Sequence, residues 1–269
     1  MKIRILICWM TIYFSSYAFS QSTQQIQYKG NFKKILLVVA MSKEANPIMK
    51  AFDLHKLAGQ FNGLPMQAYQ GNYAGLDIVM ITNGEDPINK VQNVGTQPAV
   101  LATYLGIEHF HPDLIISIGT AGGIKNKGAQ LKQIYISTKN YFYSRRIPSA
   151  GSHEYGLGGY TSINLKPIID KTELKLGIIC SSDSFDENQT DIQIINQEGC
   201  IAVDMEAAGV AWVSMLMKIP MFAMKGVTNY AQDKNGHTDY RNNLPYVTNE
   251  LAQRLKLILN YFSANVVTK

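Results

Sequence analysis

Two nearly unbroken aliphatic runs, Ile35-Leu36-Leu37-Val38-Val39 and Leu114-Ile115-Ile116-Ser117-Ile118, constrain the fold of this chain more than any other feature. A strand with one wet face alternates apolar and polar residues; these runs do not, so both of their faces must be covered. Helical spacing follows the first run over 43–52, precedes the second over 95–105, and recurs over 206–217 and 247–260. Pro112 ends the second of these helices just before its strand. Segments 66–73 and 76–82 flank Ala74-Gly75 and read as a hairpin, and 133–138, 176–180, 200–204 and 221–225 are further strand candidates. Strands alternating with helices predict an α/β fold: a single three-layer domain whose central mixed, largely parallel sheet is wrapped by helices. At 269 residues the chain is long enough to bury such a core. The domain is expected over 32–269, with no internal repeat or linker.

The first twenty residues read differently. A basic start with Lys2 and Arg4, an apolar run over 5–13, and Ala18-Phe19-Ser20 before Gln21 are the parts of a secretory signal. The run is too short to span a bilayer comfortably. The expectation is therefore a signal peptide over 1–20, a flexible leader over 21–31, and a periplasmic or secreted mature protein with no membrane association after cleavage. Cleavage takes the formal charge from +5 to +3, too weak a balance to suggest a nucleic-acid partner. Cys180 and Cys200 then remain, and they read equally as a bridge in an oxidising compartment or as two buried thiols.

In sheets of this kind ligands collect beyond the carboxyl ends of the strands. Those exits, at 40–44, 119–123, 181–186, 204–206 and 226–229, carry Glu44, Asp204 and Glu206 beside the apolar Met41, Phe185 and Met205. The mixture suits a flat heteroaromatic base attached to a polyol: a carboxylate accepts hydrogen bonds from two vicinal hydroxyls, and an aromatic ring stacks on a base. Taken singly these residues are ambiguous, since Glu44 and Glu206 read equally as first-turn carboxylates favoured by a helix dipole. Gly119-Thr120-Ala121-Gly122-Gly123 permits close backbone approach to a ligand but lacks the dinucleotide-binding spacing. No cofactor is implied. Glu108, His109, His111 and Asp113 cluster at a helix end before a proline, the setting of a solvated turn, and no metal ligand is assigned there. The Gly-x-Ser-x-Gly elbow of a Ser-His-Asp hydrolase is missing, and a two-lobed binding protein would need a domain break that the chain does not have.

Six segments in register carry a family resemblance. Ala40-Met41-Ser42-Lys43-Glu44, Val94-Gly95-Thr96, Pro112-Asp113-Leu114-Ile115-Ile116 with the glycines behind it, Arg145-Arg146-Ile147-Pro148, Ser182-Asp183-Ser184-Phe185 and Val203-Asp204-Met205-Glu206-Ala207-Ala208 occur in this order. The chain resembles methylthioadenosine and adenosylhomocysteine nucleosidases over about 34–259, nearest the plant type. The resemblance implies hydrolysis of the N-glycosidic bond of a purine nucleoside. It makes Glu44 the base that activates water, Glu206 the carboxylate that holds the ribose 2′- and 3′-hydroxyls, and Met41 and Met205 the residues packed on the sugar. Phe185 becomes the ring stacked on the purine, with the backbone at Asp186 reading the base edge, and Gly95, Thr96 and Thr120 complete the substrate contacts. A homodimer is implied too. The phosphate-binding loop of related phosphorylases has no counterpart at 40–44, which favours water as nucleophile.

One position departs from the pattern. Where the nucleosidases carry an Asp that protonates purine N7, this chain has Asn229 after Thr228. An amide donates and accepts hydrogen bonds but transfers no proton at neutral pH. Three readings stay open: adenine recognition with weakened catalysis, a 6-oxopurine nucleosidase or phosphorylase acting on inosine or guanosine, or a catalytically impaired exported protein that binds or stores nucleosides.

Overall fold

The computed structural model describes residues 31–148, 151–170 and 172–266. The expected signal peptide, and the leader up to residue 30, lie outside these residues. In chain order the elements are β1 Lys34–Val39, α1 Ser42–Phe52, β2 His55–Leu57, β3 Gln67–Tyr73, β4 Leu76–Thr82, α2 Thr96–Phe110, β5 Leu114–Gly123, β6 Ile134–Phe142 and α3 His153–Leu157. They continue as β7 Gly159–Thr161, α4 Lys166–Ile169, β8 Lys175–Ser181, α5 Gln189–Glu198, β9 Cys200–Asp204, α6 Ala207–Met217, β10 Met221–Tyr230 and α7 Gly236–Val266.

The two aliphatic runs form the adjacent parallel strands β1 and β5, and both faces of β1 are covered, as their composition requires. Ile35, Leu37 and Val39 pack with Ala45, Ile48 and Phe52 of α1 and with Leu251, Leu255 and Ile258 of α7. Leu36 and Val38 point the other way, among Ala99 and Ala102 of α2 and Ala208 and Ala211 of α6. Each aliphatic side chain buried this way contributes about 1.5–3 kcal/mol. The result is the expected three-layer α/β domain, with α1 and α7 on one face and α2 and α6 on the other.

One sheet holds all ten strands. Its centre, β4-β1-β5-β10, is parallel, while the β3–β4 hairpin, the short β2 and β7, and the β5–β9 and β6–β10 seams are antiparallel. Because β10 pairs with both β5 and β6, the strands β5, β9, β8, β6 and β10 curl into a closed ring. The hairpin turns on Ala74 (φ 52°) and Gly75 (φ 81°), two successive left-handed residues matched to strand twist. At the end of α2, His111 takes the left-handed conformation (φ 50°) and its N–H caps Ile107 O just before Pro112.

Two expectations change and one open reading is decided. The segment 119–123 is not a turn: β5 continues through Gly123, because its glycines pair with β10 and, at Gly122 and Gly123, with β9. The last helix begins at Gly236, not near 247, so the polar stretch that holds His237 is its first turn. Cys180 and Cys200 form a disulfide between β8 and β9, 5.8 Å apart at Cα, which decides between the two readings of these residues.

Candidate active site

The carboxyl ends of β5 and β9 meet head-on at the seam of the ring, where Gly122 pairs with Val203. Beside that junction a cavity of about 290 Å³ opens between the starts of α1 and α7, the β8–α5 loop and the ends of β5, β9 and β10. The strand-end rule thus locates it, since each of those elements delivers its first non-repetitive residues to one place.

Glu44, in the first turn of α1, is buried and turns its carboxylate towards β5. Its Oε1 accepts from the Thr120 N–H and hydroxyl, both at 2.7 Å, and its Oε2 accepts from the Met41 N–H at 3.3 Å. A β-carbon at Gly119 would sit 3.0 Å from Oε1, so the close approach that this glycine permits is by Glu44. Glu206 stands just before α6 and accepts from the Gly95 N–H at 3.2 Å. Gly95 holds φ +115°, a conformation that side chains disfavour, and this aims its N–H at the carboxylate.

Lys225 lies between the carboxylates on β10, 2% exposed, with Nζ 2.7 Å from Asp204 Oδ2. Asp204 accepts from Ser181 Oγ at 2.5 Å and from the Ala207 N–H at 3.0 Å, so it also caps the start of α6. Burial pushes the Lys225 ammonium down, yet Asp204, Glu206 and Glu44 outweigh it and hold it charged. Burial raises Glu44 above the usual carboxylate range, against the pull of Lys225 and the Thr120 hydrogen bonds. Burial also pushes Glu206 up to about 8; Lys225 opposes the shift while Asp204 and Glu44 add to it. Tyr240, whose hydroxyl lies 3.8 Å from Met41 Sδ, is pushed up to about 12 by burial and then by the same two glutamates. Burial thus raises the proton affinity of both glutamates while Lys225 restrains the shift, the kind of perturbation that general-base chemistry uses.

Of the residues singled out in the sequence, Met41, Glu44, Thr120, Phe185, Met205, Glu206 and Asn229 line this cavity, and Gly95 reaches it through Glu206. Thr96 stands behind the wall. Its N–H and hydroxyl donate to Asp183 at 2.5 and 2.8 Å, which anchors the loop that carries Phe185. Asp186 does not line the cavity. Asn229 is buried; its Oδ1 lies 3.0 Å from the Thr228 hydroxyl and its Nδ2 donates to Tyr230 O at 3.3 Å. Arg146 pairs with Asp191 and Arg145 lies over the Tyr155 ring, so both arginines are used within the fold. Asp113 accepts from the Lys33 and Lys34 N–H groups at 2.9 Å each.

Sequence reasoning missed Lys225, Tyr240 and His237. A signal existed for Lys225, a single charge inside the run Phe222-Ala223-Met224-Lys225-Gly226-Val227. His237 stacks on Phe185, with ring centroids 4.6 Å apart and planes 15° from parallel, and lines the same cavity.

With this geometry in hand, comparison with known proteins places the chain. The Phosphorylase superfamily pattern matches residues 34–263, and the chain belongs to that superfamily. Within it, the 5′-methylthioadenosine/S-adenosylhomocysteine nucleosidase of Arabidopsis thaliana is 34% identical over 247 residues, 89% of this chain and 96% of that one. The 5′-methylthioadenosine nucleosidase of the same plant is 32% identical over 232 residues, covering 85% and 87%. The solved apo structure of the Arabidopsis thaliana 5′-methylthioadenosine nucleosidase superposes with a TM-score of 0.83 at 32% identity, over 87% of this chain and 97% of that one. The plant-type resemblance read from the six motifs therefore holds.

Proposed function

We propose that this protein is a purine nucleosidase that hydrolyses the N-glycosidic bond of a 5′-methylthioadenosine- or S-adenosylhomocysteine-type nucleoside, releasing adenine and a ribose derivative. The observation that carries this reading is the convergence of Glu44, Glu206, Phe185 and Asn229, far apart in sequence, on one cavity. Similarity to two plant nucleosidases over most of their lengths supports it.

Breaking a glycosidic bond builds positive charge on the sugar and negative charge on the departing base. Glu206, held by the Gly95 N–H, keeps one oxygen for the two ribose hydroxyls, and its carboxylate stabilises the charge growing on the ring. Glu44, with Oε1 saturated by Thr120, offers Oε2 to a water at C1′ and takes its proton as the bond forms. Phe185 supplies a face for the base. Asn229 donates a hydrogen bond to N7, which orients the purine and spreads its negative charge without transferring a proton. A 6-oxopurine is the second reading: Asn229 Nδ2 gives one hydrogen to Tyr230 O and keeps the other, a donor that can meet N7 and O6 of such a base together.

The test is release of free base from methylthioadenosine, adenosine and inosine by the full-length chain, with and without phosphate. Adenine from methylthioadenosine without phosphate is the expected product. Base released only from inosine moves the assignment to 6-oxopurines, a phosphate requirement makes the protein a phosphorylase, and binding without any release leaves only a nucleoside-binding role. Glu44→Gln should abolish release and leave affinity nearly unchanged.

Two further properties belong to this reading. Tyr104 on α2 and Trp212, Met215 and Leu216 on α6 are 38–55% exposed, an apolar patch that suits a second copy of the chain and supports a homodimer. Sedimentation of Trp212→Glu as a monomer beside a dimeric wild type is the expected result. Export to the periplasm or beyond is supported by the signal pattern over 1–20 and by the Cys180–Cys200 disulfide, a bond kept in oxidising compartments. Cell fractionation with N-terminal sequencing checks it, with Gln21 the expected first residue.

A further inference from the structure

A departing purine needs a proton, and the residue at the position that resembles the family's proton donor is an amide. The cavity wall holds a second candidate. His237 lies in the first turn of α7, exposed, with its imidazole stacked on the ring of Phe185 at 4.6 Å. Its neighbour Gly236 backs onto the amide: a β-carbon there would lie 3.4 Å from Asn229 Nδ2. The imidazole is thus attached one residue from the Asn229 contact and rests on the ring that holds the base. A purine that shares the Phe185 face with the imidazole lies beside it, edge to edge. Imidazole is the side chain that gains and loses a proton near neutral pH.

We infer that His237 is the acid of the leaving-group step, a role that rests on the nucleosidase reading above. As the C1′–N9 bond breaks, its electron pair passes into the purine and the imidazolium N–H transfers its proton to a ring nitrogen of the base. The water that bonds to C1′ gives its proton to Glu44. Glu44 then returns that proton to solvent and the neutral imidazole takes one up, so one water is consumed and no other reactant is needed. Exposure of His237 makes its reprotonation fast. Asn229 keeps the purine in register by hydrogen bonding while His237 moves the proton.

The titratable groups that share the cavity are Glu44 from α1, Tyr143 just after β6, Glu187 from the β8–α5 loop, Asp204 and Glu206 at the end of β9, Tyr230 at the end of β10, and Asp233 and Tyr240 on either side of His237 in the chain. A carboxylate needed in its ionised form gives activity that rises with pH; an imidazolium needed as acid gives activity that falls. The experiment is kcat for adenine release against pH, from about 5 to 9, for the full-length wild type, His237→Ala and the double variant His237→Ala/Asn229→Asp. Wild type should show a falling alkaline limb. His237→Ala should lower kcat by about 10²- to 10⁴-fold, lose that limb and leave KM within a few-fold. The double variant should recover kcat, because the carboxyl group introduced at 229 can carry the proton. The inference is overturned if His237→Ala keeps kcat or the falling limb, if it raises only KM, or if the double variant is no faster than His237→Ala. A wild type that releases no base at all sinks the nucleosidase reading itself, which separates that failure from this one.

Discussion

Replacing Lys225 with methionine keeps roughly the length of the side chain and deletes its charge. Lys225 Nζ lies 2.7 Å from Asp204 Oδ2, and both side chains are closed to solvent, at 2% and 0% exposure. Removing one partner of such a pair strands a buried carboxylate and destabilises the fold by about 3–5 kcal/mol. In a domain of this size each kcal/mol moves Tm by about 2–4 °C, so calorimetry should show a drop of roughly 6–20 °C. The same change removes the positive charge that opposes the upward shifts of Glu44 and Glu206. Both groups then hold their protons to higher pH, and the acid limb of hydrolysis should move up. Lys225→Met/Asp204→Asn, with a neutral pair, should recover part of the lost stability. A Tm within about 2 °C of wild type, a stationary acid limb, or a double variant no more stable than Lys225→Met would refute the reasoning.

Three further outcomes follow from the same geometry. Glu206→Gln should weaken nucleoside binding by about 10- to 150-fold, the equivalent of a hydrogen bond to a charged group. It should also stabilise the protein by an amount that grows as pH rises from the ordinary carboxylate range to about 8 and then levels, because the native Glu206 holds its proton over that interval and the unfolded chain does not; a pH-independent difference in Tm speaks against this. Thr120→Val deletes one hydrogen bond to Glu44 Oε1, so Glu44 should titrate higher and kcat at pH about 6 should fall more than kcat at pH about 8; equal losses at both would show that Thr120 acts only through packing. Cys180→Ser/Cys200→Ser opens a cross-link between residues 20 apart, and a loss of about 3 kcal/mol, or roughly 6–12 °C in Tm, is expected; an unchanged melting curve under oxidising conditions would mean that the bond does not form.

Much of the fold could be read from sequence because the aliphatic runs of β1 and β5 admit few alternatives: nothing else buries both faces of a short strand so completely. The end of β5 could not be read. Glycine after an apolar run has the local signature of a turn, and only the neighbouring β9 and β10, remote in sequence, keep Gly122 and Gly123 extended. The start of α7 was hidden for a similar reason, since its first turn is polar and touches the cavity, so periodicity begins late. Sequence reasoning also missed α5, although its start is fixed locally by Asn188 and Asp191, which form a reciprocal cap. Glu44 and Glu206 became legible through motifs in register, because either alone is an ordinary first-turn carboxylate. Lys225 was signalled only as a lone charge in an apolar run, and its meaning comes from the three carboxylates that distant segments gather around it. For Thr96 nothing local reveals that its hydroxyl faces Asp183 and so anchors the loop that carries Phe185.

Asp204 serves two structures at once, as the cap on the first N–H of α6 and as the counter-ion of Lys225. A displacement of α6 would act on that one carboxylate and, through Lys225, on the charges that line the cavity. Substitutions on the exposed side of α6 at Trp212 or Leu216 should therefore register in turnover even though neither side chain lines the cavity.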